Sequence, residues 1–387
     1  MDPKIPKEDL FRVFLYDYLK KRGFSQTAKT LRNEAQITAR TSSQFNRPYD
    51  PYGFLYEFWV SFYDLYQAWI IPGLSRKSDQ ATNVGALIDS IPQIIRERYS
   101  IRCLSRCSSK QTLLSCDFSS DGMIVASGGI GMKPFLCYAE TCDAVTTSES
   151  HSSTILDVRF QPESNLFATA SADKTVKLWN ARRPATVLYD FVGHNWIVKS
   201  LDFHPTEGIL CSSDTHGVIE EWNLDRRVRM NTFKAGGSLV RFQPGSGRIL
   251  ASVNRNVITL RDFKTWTVEK RFQGHVKDIR SICWDVTGQT IASVSEDEVR
   301  VWTINMEGKC LYEYPSKGKR FQTVIFHPRF RNVLVVGGFQ NLELLILDTG
   351  ETRSITASDL SITGLAACTE SKLIASAGND SMVKIWK

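Results

Sequence analysis

The chain has 387 residues, 42% hydrophobic, 11% aromatic and 23% charged, a globular composition long enough for one large domain or two smaller ones. Its 48 Lys and Arg against 41 Asp and Glu leave a net charge of +7, which suits acidic partners but is not gathered into a basic arm of the kind that binds nucleic acid. Nine cysteines, with Cys103/Cys107 and Cys137/Cys142 as the closest pairs, lack the paired C-x-x-C spacing of a zinc site, so reduced, packed thiols and no metal are expected. The opening MDPKIPKEDL is charged from its second residue, is not read as a secretory signal, and leads to the expectation of an intracellular protein.

Residues 9–35, DLFRVFLYDYLKKRGFSQTAKTLRNEA, read as two short helices. Leu10, Val13, Phe14, Asp17, Tyr18 and Lys21 fall at helical spacing with a mainly apolar face, Gly23 stops the first helix and Ser25 can cap the second. The order of LYDYL, Gly23-Phe24, Thr27-Ala28 and Glu34-Ala35 resembles the LisH motif. That resemblance implies a small helical dimerisation unit. So short a unit buries too little apolar surface alone, and a second copy supplies the rest.

The next segment, YGFLYEFWVSFYDLYQAW (52–69), has nine aromatic residues in eighteen. Glu57, Asp64 and the flanking Pro51 and Pro72 make it too charged and too short to span a bilayer. Leu55, Phe58, Trp59, Phe62, Leu65, Tyr66 and Trp69 form a continuous helical stripe, which Tyr56 and Tyr63 widen. One side is expected to pack on the preceding helices and another to meet the dimer mate or a bound protein. The interface is assigned to Tyr16, Tyr18, Leu19, Phe58, Trp59, Phe62, Tyr63 and Tyr66.

A repeat organises the remainder. LLSCDFSSDG, ILDVRFQPES, VKSLDFHPTE, SLVRFQPGSG, IRSICWDVTG, QTVIFHPRF and a weaker ITGLAACTES align on Phe118, Phe160, Phe203, Phe242, Trp284, Phe326 and Ala367, at intervals of 42, 43, 39, 42, 42 and 41. Each copy has an alternating apolar strand, a polar turn and two further strands, which matches the four-stranded blade of a propeller. The pattern resembles WD-repeat proteins, in which His, Ser or Thr, Asp and Trp form a buried hydrogen-bond chain. His151, Thr169, Asp173 and Trp179 supply one set; His194 and Trp222, then His275, Ser293, Asp297 and Trp302, then Ser376, Asp380 and Trp386 supply others. These groups could pass for parts of a hydrolase site, but they recur in blade after blade whereas an active site occurs once, so they are read as structural. Gaps remain: Gly131 and His216 stand where Asp is expected, AGGSLV lacks the His, and Trp179 and Trp222 precede Asn180 and Asn223. Such blades are expected to rely on packing. The chain ends at VKIWK on a third strand, so the segment around YSIRCLSRC is expected to return and complete that blade, removing an open edge.

GFLYEFW after LYDYL also resembles a LUFS domain, and SADKTVKLW, SLDFHP, FQGHVKDIRSICWD and ASVSEDEVRVW are similar to the propeller of the plant LEUNIG-type corepressor family. That family carries a long glutamine-rich region where this chain has a short linker. The expected fold is mainly β, a seven-bladed WD-repeat β-propeller at 99–387, with a small N-terminal α-helical LisH/LUFS domain for dimerisation and adaptor binding at 1–71 and a linker at 72–98. GxxxxGK[ST], HExxH, GxSxG and strand-linked GxGxxG are absent, so a non-enzymatic scaffold is expected. The resemblance implies a nuclear transcriptional corepressor that self-associates through LisH and docks a SEUSS/LIM-binding-type adaptor. It would present its propeller to repressor-motif or chromatin proteins, with no cofactor, no membrane and no direct sequence-specific DNA contact. The alternative is a cullin-type ubiquitin ligase receptor, suggested by VKLWNAR with Arg182 in place but Asn180 for the usual Asp. A LisH-bearing cytoskeletal regulator would need a heptad coiled coil, which the linker with Pro72, Gly73, Gly85 and Pro92 does not offer. Loops before first strands and between second and third strands carry Lys110, Lys133, Lys174, Trp196, Lys234, Arg255, Lys277, Lys319 and Arg320. Of these, Lys174, Trp196, Arg255, Lys277, Lys319 and Arg320 are taken as the partner-binding face, suited to acidic, partly apolar peptides.

Overall fold

The computed structural model describes residues 101–387 apart from 183, 235–236 and 306–309. The chain divides into two compact units, 1–100 and 101–387. The two LisH helices, the aromatic run and the interface residues Tyr16, Tyr18, Leu19, Phe58, Trp59, Phe62, Tyr63 and Tyr66 lie outside the described residues.

Every regular element among the described residues is a strand. Five four-stranded antiparallel sheets start at Leu113–Phe118, Ile155–Phe160, Val198–Phe203, Leu239–Phe242 and Ile279–Trp284. The sequence repeat predicts seven separate blades, and that count is corrected to five. The other strands form one seven-stranded sheet, in the order Cys103–Ser108, Met382–Trp386, Leu373–Gly378, Thr352–Cys368, Phe339–Ile346, Val333–Gly337, Thr323–Phe326. Its cause is the 17-residue strand Thr352–Cys368. Residues 352–356 of that strand pair with Phe339–Ile346, and 362–368 pair with Leu373–Gly378. Elsewhere a loop, such as 146–154 or 193–197, separates an outer strand from the next first strand, whereas ASDLS at 357–361 stays extended.

First strands adjoin one another in succession from Leu113–Phe118 onward, and Thr352–Cys368 returns to Leu113–Phe118. Closure is covalent at neither end and depends on hydrogen bonds. Cys103–Ser108 pairs antiparallel with Met382–Trp386, with Cys107 opposite Val383, and Arg102 and Lys387 exchange backbone bonds of 2.9 and 3.0 Å. The alternating first strands place Val158, Leu201, Val240 and Ile282 in the core between sheets. One cluster joins Ala168, Val176, Leu178 and Phe191 to Leu201, Phe203, Leu210 and Trp222 of the next sheet; each large side chain so buried contributes about 1.5–3 kcal/mol.

The opposite parity carries a buried polar network. Asp157 accepts from Ser115 Oγ (3.0 Å), Ser200 Oγ (3.0 Å) and Arg241 Nη1 (3.1 Å), tying four consecutive first strands together. Burial alone would push its carboxyl up, but the Arg241 and Arg159 guanidiniums hold it below the usual range. For Asp202 burial outweighs the same two guanidiniums and the carboxyl is pushed up to about 6.

Candidate functional site

In an antiparallel four-stranded sheet the start of the first strand, the end of the second and the start of the third share one end. That end carries both the repeated polar chains and the cationic loops. In the sheet beginning Ile155–Phe160, His151 Nδ1 lies 2.8 Å from Asp173 Oδ2, Nε2 lies 2.7 Å from Thr169 Oγ1, and Trp179 Nε1 donates to the same hydroxyl at 2.8 Å. Donors and acceptors match when Nδ1–H donates to the carboxylate and the hydroxyl donates to Nε2. Although burial opposes it, hydrogen bonds from His151 and Thr175 hold Asp173 well below the carboxylate range.

The next sheet repeats the chain with a different acid. His194 Nδ1 meets Asp214 Oδ2 at 3.2 Å, Nε2 meets Ser212 Oγ at 2.7 Å, and Trp222 Nε1 donates to Ser212 at 2.8 Å. His216, which the sequence spacing puts in the acid's place, is exposed and stacks on Trp196 with ring centroids 3.9 Å apart. The structure therefore supplies a complete chain where a gap was expected. Asp214 is two residues after Ser212 and shares its face of the strand, a parity that sequence alone offered.

In the sheet beginning Ile279–Trp284, Ser293 links His275 Nε2 (2.7 Å) and Trp302 Nε1 (2.8 Å). Here Nδ1 faces Glu298 Oε1 at 3.0 Å and Ser295 Oγ at 3.0 Å, while Asp297 stands one bond away, accepting from Ser295 at 2.6 Å. Burial lowers His275 to about 4 against the pull of Glu298. The last set keeps Trp386 Nε1 to Ser376 Oγ at 2.9 Å, but Asp380 binds the Lys384 ammonium at 2.6 Å, a cation doing what the imidazole does elsewhere. Thr169, Ser212 and Ser293 have no exposed surface, and each hydroxyl is already shared between an imidazole and an indole. The chains tie loop to strand and leave no nucleophile open to a substrate.

Around these chains the loops form a rim, bonded to one another at several places. His151 N donates to Met132 O (2.9 Å), Ile279 N to Arg255 O (2.8 Å), Asn256 Nδ2 to His275 O (2.7 Å) and Ser316 N to Asp297 O (2.6 Å). Lys174, Arg255, Lys277 and Arg320 are exposed on it, as is Trp196. Glu296 draws in Lys277 (3.8 Å), Arg280 (3.6 Å) and Arg320 (3.9 Å). Lys319 differs from the others: its ammonium is 2.8 Å from the buried Glu343, so much of its charge is spent inward. Sequence reading missed the exposed Met132, Ile197 and Val276 on these same loops and Phe339 and Leu360 in strands of the seven-stranded sheet, because single apolar residues at such places carry no periodic signal.

The WD domain, G-beta repeat, family matches residues 142–180, 185–223, 266–303 and 350–387, and the LisH family matches 16–35. The chain is a LisH-bearing WD-repeat protein. The four matched stretches are those whose Trp meets a buried Ser or Thr; the first three strands of the sheet beginning Leu239–Phe242, with Arg261 opposite Leu250 in the Trp position, are not among them. The chain is 36% identical over 289 residues to the transcriptional corepressor LEUNIG_HOMOLOG of Arabidopsis thaliana, a match covering 74% of this chain and 36% of that protein. It is 25% identical over 206 residues to the Pre-mRNA-processing factor 19 homolog 2 of Arabidopsis thaliana (51% of this chain, 39% of that one). It is 27% identical over 263 residues to the nuclear distribution protein PAC1 of Arthroderma benhamiae (64% and 52%). The matches thus span about a third to a half of these relatives' lengths. The ligase-receptor alternative is not favoured: Asn180 Oδ1 is occupied in its own turn by Arg182 N at 3.0 Å, and the 36%-identical relative is named as a corepressor.

Proposed function

We propose that this chain is a non-enzymatic scaffold of the transcriptional corepressor type, acting in the nucleus. The observation that carries the reading is the 36% identity over 289 residues to a plant corepressor, joined to a LisH match at 16–35. Residues 1–71 self-associate and dock a SEUSS/LIM-binding-type adaptor, 72–98 link, and 99–387 form a propeller that presents its rim to repressor-motif or chromatin proteins. In this reading the seven-stranded sheet is two blades fused through Thr352–Cys368, so the ring works as seven blades. Repression comes from recruited enzymes, since the buried hydroxyls of the polar chains are structural. Tethering the full chain to a reporter promoter through a heterologous DNA-binding domain lowers transcription. Trp59→Ala with Phe62→Ala weakens that repression together with self-association measured by light scattering, since removing a large ring that packs against a partner typically costs about 3–5 kcal/mol. A reporter indifferent to the tethered chain would sink the proposal.

A further inference from the structure

The rim holds its cations on backbone that disfavours them. Lys110 (φ 58°), Lys174 (φ 72°), Arg255 (φ 51°) and Arg320 (φ 50°) all adopt the left-handed conformation, in which Cβ crowds the following carbonyl and glycine is the unstrained residue. The neighbouring sheet shows the relaxed solution: the residue just before its third strand, equivalent to Lys174, is Gly217 at φ 76°. Left-handed residues also occur in turns at the other end of the sheets, at Glu163, Arg227, Trp266 and Lys372, so strain alone assigns no use and the reading rests on the exposed side chains that these rim positions carry.

The charges of three of these four side chains are also unspent, Arg320 being drawn to Glu296. Lys110, Lys174 and Arg255 are exposed and have no carboxylate partner among the described residues, whereas nearby acids are committed elsewhere: Asp173 to His151, Glu343 to Lys319 and Asp380 to Lys384. Between the cations stand exposed Met132, Trp196, Ile197, Val276, Phe339 and Leu360. Aliphatic side chains dominate that set, and the rim's one exposed Trp is already stacked on His216. A nucleic acid would be better served by several free aromatic platforms.

We propose that this rim docks an acidic polypeptide segment with interspersed apolar side chains, and that Lys174 and Arg255 are its strained electrostatic readers. The inference rests on the reading of the propeller as a docking platform and names the chemistry of the partner. The test uses the full chain and a fluorescein-labelled peptide of alternating Glu and Leu, with fluorescence anisotropy at two salt concentrations. The Lys174→Gly, Arg255→Gly variant is expected to keep or raise its Tm, because strain is relieved, while Kd rises roughly tenfold or more and its salt dependence shrinks. Trp196→Ala weakens the same peptide without changing the salt dependence. Unchanged peptide affinity in the glycine variant overturns the proposal, as does equal affinity of the wild type for a single-stranded oligonucleotide of matched charge. Loss of reporter repression with peptide binding intact bears only on the corepressor reading, so the two fail separately.

Discussion

The sheets beginning Ile155–Phe160 and Leu239–Phe242 are built to one plan by different chemistry. The first closes its upper end with His151, Thr169, Asp173 and Trp179. The second has Arg261 where Trp179 stands, opposite Leu250 as Trp179 is opposite Phe167; Gly237 approaches Ser252 so closely that a Cβ there would sit 2.7 Å from the Ser252 Cβ, and the neighbouring Leu260 packs with Ile249, Val253, Ile258 and Phe272. In both, the second and third strands pair without a register shift, and the third strand bulges against the fourth at the same place, Leu178/Trp179 and Leu260/Arg261. Strand periodicity and apolar fill therefore specify a blade, and the polar chain is an added fastening rather than a requirement.

Trp179→Ala should break this contrast most severely. The indole is fully buried, stacks on Phe167 with centroids 5.8 Å apart and caps the polar chain; its loss costs about 3–5 kcal/mol and leaves Thr169 short of a donor. Leu260→Ala in the apolar sheet costs about 2–5 kcal/mol through cavity formation alone. The two are separated by adding Thr169→Val. That change offsets part of the Trp179→Ala loss in a double-mutant cycle and adds simply to Leu260→Ala, as read from denaturant midpoints. Simple additivity in both backgrounds would show that the polar chain adds nothing beyond packing.

A sharper and smaller test separates spacing from geometry. Asp214→Ala removes the acceptor of His194 from a closed site, at about 1–3 kcal/mol, whereas His216→Ala removes an exposed ring and stays within about 0.5 kcal/mol. Equal Tm values for the two variants would mean that the spacing rule, and not the observed bond to Asp214, describes this sheet.

The same sheet marks how far the sequence could be read. The repeat and the strand types were legible because every blade needs its strands at fixed offsets, and His and Trp because the sheets that carry the polar chain place them at one spacing; the pairing of Cys103–Ser108 with Met382–Trp386 was expected from a last repeat with three strands. Glu298 and Lys384 were not legible, since the acid or cation facing each site enters from whichever neighbouring position the turn happens to aim inward, while Asp214 was legible by its parity with Ser212, although the spacing points to His216 instead. The fused sheet was equally hidden: whether 357–361 loops out or stays extended depends on backbone continuity that no single residue in ASDLS dictates. The rim's apolar residues became a feature only when loops distant in sequence were seen on one end of the sheets.

The smallest effect per site is a dependence on pH that only the His-bearing sheets should show. Burial lowers His275 to about 4, against Glu298, and His327 to about 4, with Arg329 adding to it. In the folded state both rings stay neutral, while in the unfolded chain they take a proton near the ordinary value of about 6.5. Their stabilisation is therefore present above about 6.5 and is lost as pH falls toward 4, by roughly 1 kcal/mol per ring between pH 7 and 5.5. Asp202 acts with the opposite sign. Its carboxyl is raised to about 6, so the folded state takes up a proton that the unfolded chain does not bind until lower pH, and this stabilisation is gained on acidification through 6. The expected result is a wild-type denaturant midpoint that falls modestly from pH 7 to 5.5, a shallower fall in His275→Gln and a steeper one in Asp202→Asn. Parallel slopes in all three proteins would remove the histidine chain as the source of the difference between the two kinds of sheet.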